Sequence, residues 1–85
     1  MGKKIEIKAE WQDSSEGKEE QEFELVDLLV GIGSNVKKDE TIAIVETAKA
    51  AVEIYSSATG EIVEILMKVG DKAKYDAVIC IIEEK

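Results

Sequence analysis

Residues 24–46 and 61–83 are two copies of one unit, and this duplication restricts the fold more than any other feature of the chain. Laid over each other, ELVDLLVGIGSNVKKDETIAIVE and EIVEILMKVGDKAKYDAVICIIE match without a gap. The pairs Glu24/Glu61, Val26/Val63, Leu29/Leu66, Gly33/Gly70, Lys37/Lys74, Asp39/Asp76, Ile42/Ile79, Ile44/Ile81 and Glu46/Glu83 are identical, and most others keep their apolar or polar character. Repeats commonly build solenoids, but a solenoid needs at least three units to bury a continuous core. Two copies within 85 residues, a length that suits one domain, point instead to a closed unit with a quasi-two-fold axis.

Each copy reads as strand, turn, short strand, turn, strand. In the first, residues 23–30 are mostly apolar, and residues 31–35 form a turn whose Gly and Asn positions tolerate positive φ. Val36 and Lys37 extend briefly, residues 38–40 turn again, and residues 41–46 alternate, with Ile42 and Ile44 on one face. The second copy follows suit, with turns at 70–72 and 75–77 and a continuous apolar strand at 78–82 that suits burial on both faces. Helix competes for residues 22–30 and 62–69, whose apolar spacing partly fits a helical period. Glycine-centred turns close behind them and the β-branched residues of the second copy decide for strand. Ahead of the repeat, Ile5 and Ile7 alternate with charge over residues 4–8, as in a half-buried strand. Residues 12–21 (QDSSEGKEEQ) read as an exposed acidic loop, with Trp11 packed at the edge of the core beside it. The fold class expected is therefore all-β.

Between the copies, Val52 and Ile54 resume the alternation, so residues 50–55 form a strand. It is joined to residues 41–46 by a short loop centred on Ala48 and Lys49, and two antiparallel strands joined this tightly make a hairpin. Lys49 sits at the tip among Ala48, Ala50 and Ala51, where an acylating enzyme can reach its ε-amine. An ordinary solvated turn lysine would look the same by position alone. Glu46 and Glu53 flank the hairpin, either as solvated rim charges or as charges that help a modifying enzyme orient Lys49.

Composition closes off other chemistries. The chain has no His and one Cys, Cys80, so a His-based catalytic triad, a zinc site and an intramolecular disulfide are all excluded. Cys80 lies in an apolar strand and reads as a small buried hydrophobe. The net charge is −8 and every cationic side chain is Lys, a poor match to a nucleic-acid backbone. No apolar run is long enough to span a bilayer, and no signal peptide is visible at the start. These features fit a reducing compartment, the cytoplasm or, for a piece of a larger precursor, the mitochondrial matrix.

With the repeat and hairpin in place, Glu46-Thr47-Ala48-Lys49-Ala50 (ETAKA) resembles the attachment motif of lipoyl domains, the carriers of 2-oxo acid dehydrogenase complexes. The likeness covers residues 25–83, including Gly33 between Val30 and Val36, residues 55–60, and Val69-Gly70-Asp71-Lys72. The chain departs from the commoner pattern at Ala48, where Asp is usual. It also has no proline, and its first loop is longer and more acidic. The resemblance implies a flattened barrel-sandwich hybrid of two four-stranded antiparallel sheets, here a single carrier domain over residues 1–85 with the attachment hairpin at 46–53. It implies lipoic acid in amide linkage to Lys49, with Glu46, Thr47, Ala48 and Ala50 forming the turn that a ligase reads. The implied partners are a lipoyl ligase or transferase, a 2-oxo acid decarboxylase, an acyltransferase core and a dihydrolipoyl dehydrogenase, served by a domain that is monomeric and not itself an enzyme. The acidic loop is either read by the decarboxylase or merely solvated. Two rivals share the hairpin lysine: biotinyl carriers, which usually place methionine on both sides of it, and the glycine-cleavage H-protein, which is longer. An unmodified interaction module is the remaining reading.

Overall fold

Apolar residues that recur at every second position, interrupted by residues that turn the chain sharply, give strands and, among the described residues, no helix. The computed structural model of the chain describes residues 2–10, 22–48 and 50–84. The strands are β1 (Lys4–Lys8), β2 (Glu22–Leu28), β3 (Asn35–Val36), β4 (Thr41–Thr47), β5 (Ala51–Tyr55), β6 (Gly60–Ile65), β7 (Lys72–Lys74) and β8 (Val78–Glu84). They form two antiparallel four-stranded sheets, ordered β1-β8-β6-β3 and β5-β4-β2-β7. The body is flattened, 39 × 23 × 17 Å. Trp11 and the acidic loop at 12–21 lie outside the described residues.

The quasi-two-fold axis exchanges the sheets strand for strand, and the backbone hydrogen bonds obey it. Gly33 N donates to Ile62 O (2.8 Å), as Gly70 N donates to Leu25 O (2.7 Å). Leu29 N reaches Ile42 O (2.9 Å), as Leu66 N reaches Ile79 O (2.8 Å). Among the described residues, those at positive φ are also two matched pairs: Gly33 (91°) with Gly70 (97°), and Asp39 (73°) with Asp76 (76°). Only Gly adopts this region freely, and Asp tolerates it better than most side chains. Both pairs are identical between the copies because the backbone there accepts few substitutes.

One further equivalence extends beyond the sequence repeat. β1 pairs with β8 in the register that β5 keeps with β4, so Lys4-Ile5-Glu6-Ile7-Lys8 stands where Ala51-Val52-Glu53-Ile54-Tyr55 stands in the other sheet. Where the β4–β5 hairpin closes through Thr47 N to Ala50 O (2.9 Å), Glu84 N donates to Lys3 O (2.7 Å).

The core between the sheets is aliphatic. Leu25, Ile42, Val45, Ile62, Ile79, Cys80 and Ile82 are fully buried, with Phe23, Val36, Ile7 and Ile54 around them. The alternation expected over 41–46 is broken by a β-bulge: Thr41 pairs with Tyr55 and Ala43 with Ile54, leaving Ile42 as the extra residue. A bulge changes which face the following residues occupy. Ile42, Ala43 and Val45 therefore enter the core, whereas Ile44 is half-buried instead of sharing a face with Ile42. Bulges at Val26 and Val63 similarly shift the β2–β4 and β6–β8 ladders. The strands expected over 23–30 and 62–69 end earlier, at Leu28 and Ile65. Beyond them the chain leaves the sheet, with Leu29, Ile32, Leu66 and Val69 exposed.

Two positions give measurable consequences. Gly60 is buried where β6 passes between β3 and β8. A methyl group there would run into the Glu83 carbonyl oxygen and come within 2.9 Å of Ile82 Cγ2. Gly60→Ala is expected to destabilise the fold by about 1–3 kcal/mol, the usual cost of overpacking, as a lower urea midpoint. Cys80 is fully buried, and desolvation pushes its thiol from 9.0 to about 11. The folded chain then holds a proton that the unfolded chain releases, so this contribution to stability is complete below pH 9.0 and lost as pH rises to about 11. The decline amounts to about 2–3 kcal/mol. Urea midpoints taken on either side of that window should fall less in Cys80→Ala than in the native chain.

Candidate functional site

The site is built on the β4–β5 ladder, in which Glu46 pairs with Ala51, Val45 with Val52 and Ile44 with Glu53. Val45 anchors the hairpin in the core, while Glu46, Ala48, Ala50 and Ala51 are exposed. The loop between Thr47 and Ala50 is two residues long. Thr47 N donates to Ala50 O (2.9 Å), Thr47 Oγ1 donates to the same oxygen (3.0 Å), and Ala50 N donates back to Thr47 Oγ1 (3.3 Å). Glu46, Thr47, Ala48 and Ala50 thus share one tight turn. Lys49, between Ala48 and Ala50 in the chain, lies outside the described residues.

The neighbouring strands set the electrostatics. On one side Phe23 pairs with Thr47 and Glu24 with Glu46; on the next, Lys72 pairs with Glu24. Carboxylates directly opposite each other on a ladder repel. Lys72 stands next along the same row, with charge opposite to both. Phe23 and Glu24 of β2, Glu46, Thr47 and Ala48 of the hairpin and Lys72 of β7 line an open groove of about 280 Å³ beside the loop. Across β5, the exposed Tyr55 hydroxyl donates to the Glu53 carboxylate at 3.1 Å. That hydrogen bond, with the Glu53 charge, raises the phenol above 10.0. Among the described residues no cluster of His, Cys, Asp and Glu could hold a metal ion.

Phe23, Glu24 and Lys72 join this site although nothing local in the sequence marks them. Only the ladder register brings them beside the loop, and the bulge at Val26 hides that register from a count of apolar positions. The Thr47 clasp had a local sign, a hydroxyl residue opening a tight turn.

Two comparisons with known proteins bear on this arrangement. Residues 11–82 match the family model described as "Biotin-requiring enzyme", the biotin/lipoyl attachment domain. Over 39 residues, 46% of the chain, the sequence is 49% identical to the dihydrolipoyllysine-residue acetyltransferase component of the pyruvate dehydrogenase complex from Buchnera aphidicola subsp. Baizongia pistaciae. That match spans 10% of the relative's length.

Proposed function

The chain belongs to the biotin/lipoyl attachment family, and on that premise we propose that it carries lipoic acid on Lys49 and serves a 2-oxo acid dehydrogenase-type complex. The observation that carries the reading is the two-residue loop closed by Thr47 and Ala50 at the end of β4, with the motif lysine in its sequence. A covalently carried acid requires a primary amine on an open turn without bulky neighbours. The exposed Ala48, Ala50 and Ala51 meet the second condition, and Lys49 is the only amine-bearing residue of the loop.

The flanking residues favour lipoyl over biotin. Biotin acceptors usually carry methionine on each side of the lysine, and this chain has Ala48 and Ala50. The relative found by similarity is, by its name, a dihydrolipoyllysine protein. On the same proposal this chain's partners are a decarboxylase, an acyltransferase core and a dihydrolipoyl dehydrogenase.

In this reading the chain's own work is positional. The β4–β5 hairpin, whose connecting loop includes Lys49 in sequence, stands on the sandwich, and the amide bond to the carried acid removes the lysine charge, as acetylation does. The carried dithiolane supplies acyl and electron transfer, a division of labour usual for cofactor proteins. Tethering on a short flexible arm keeps its reactive end at an effective concentration on the order of millimolar near each active site. Buried Cys80, with its raised pKa, takes no part in that thiol chemistry.

Co-expression with a lipoyl ligase or a biotin ligase, followed by intact-mass measurement, tests the reading. A lipoyl-sized gain supports it. A biotin-sized gain, or no gain with either ligase, overturns it.

A further inference from the structure

We infer that Thr47 is a positioning residue for the modification of Lys49, its hydroxyl clasping the two sides of the loop and so fixing the arc on which the lysine is offered. The inference rests on the carrier reading above and adds a role for one side chain within it. Thr47 Oγ1 donates to the Ala50 carbonyl at 3.0 Å and accepts from the Ala50 amide at 3.3 Å, alongside the backbone bond from Thr47 N at 2.9 Å. One hydroxyl therefore engages both polar groups of the residue that follows the lysine.

The loop needs such a device because its sequence has no other. Two-residue hairpin loops favour Asn-Gly, Asp-Gly or Gly-containing pairs, which adopt the required backbone shape without strain. Here the pair is Ala48-Lys49, followed by Ala50 and Ala51. Three other described turns are built differently, whereas Ser56 Oγ engages both polar groups of Ala58 in the same way. The one stapled by Gly31 N to Ser34 Oγ contains Gly33 at positive φ, and the one stapled by Lys68 N to Asp71 Oδ2 contains Gly70 at positive φ. The turn stapled by Lys37 N to Glu40 Oε1 contains Asp39 at positive φ. In the attachment loop neither Ala48 nor Lys49 has a turn preference, and the clasp supplies the shape.

A modifying enzyme acts on the fraction of molecules whose loop is closed, so loosening the loop lowers its apparent affinity by that fraction. Thr47→Val keeps the β-branched shape and strand preference but loses the hydroxyl. Thr47→Ser keeps the hydroxyl. With the whole domain and purified lipoyl ligase, Thr47→Val is expected to lower kcat/KM by about 5–10-fold, mainly through KM, the scale of one or two lost hydrogen bonds. The urea midpoint should stay close to that of the native chain, Ala50 amide exchange should speed up, and Thr47→Ser should recover most of the loss. A merely structural role would move the midpoint instead and would favour valine over serine. The inference is overturned if Thr47→Val is modified as efficiently as the native chain, or if Thr47→Ser is no better than Thr47→Val. Failure of the native chain itself to gain a lipoyl-sized mass would overturn the carrier reading instead, and Ala50 exchange in Thr47→Val would still report on the clasp.

Discussion

Lys49→Ala is expected to abolish the lipoyl-sized mass gain on co-expression with the ligase, and Lys49→Arg to do the same. The pair separates two explanations. Arginine keeps the positive charge but has no primary amine that can be acylated at neutral pH, because its guanidinium never gives up its proton there. Loss in both variants therefore assigns the chemistry to the amine rather than to local charge. Ten other lysines remain in each variant, so the experiment also reads selectivity. Those in described strands, such as Lys4, Lys8, Lys72 and Lys74, belong to hydrogen-bonded ladders instead of a two-residue loop. A mass gain that survives Lys49→Ala would move the site elsewhere and remove the carrier reading as stated. Urea midpoints equal to that of the native chain would show that the fold is intact in both variants.

The largest effect on stability is expected in the core, at equivalent places in the two halves. Leu25 and Ile62 are both fully buried, and each anchors a backbone exchange with the opposite half: Leu25 with Gly70 and Asp71, Ile62 with Gly33 and Ser34. Leu25→Ala and Ile62→Ala are each expected to cost about 2–5 kcal/mol, the range for emptying a buried aliphatic site. A domain of this size is stable by about 5–15 kcal/mol, so either change consumes a large part of the margin. The measurement is a urea midpoint for each variant. Because the two sites are related by the quasi-two-fold axis, the losses should be alike. A large loss at one site and almost none at the other would show that the packing does not share the backbone's symmetry.

The all-β class and the quasi-symmetry were legible in the sequence because the turns were, whereas the two paired sheets were implied by the family resemblance. Gly33/Gly70 and Asp39/Asp76 are identical between the copies, and positive φ at all four leaves few alternatives. The bulges were not legible. Inserting Ile42 or Val26 into a ladder leaves the local composition apolar while reversing the faces that follow, so counting alternate positions put Ile44 on the wrong side. The equivalence of β1 with β5 was hidden as well. Its trace is a shared Glu-Ile step after Ile5 or Val52, too short to stand out beside the longer repeat. At the site, the motif was visible because its residues are contiguous. The groove was not, because Phe23, Glu24 and Lys72 come from strands distant in sequence.

Each half of the chain lends a strand to the other's sheet: β3, from the first copy, completes the sheet of β6 and β8, and β7, from the second, completes that of β2 and β4. The two copies are thus interlocked, and neither has a finished sheet to retreat to when its counterpart melts. A domain tied in this way is expected to give way all at once, so the platform beneath the hairpin has no half-melted form of its own.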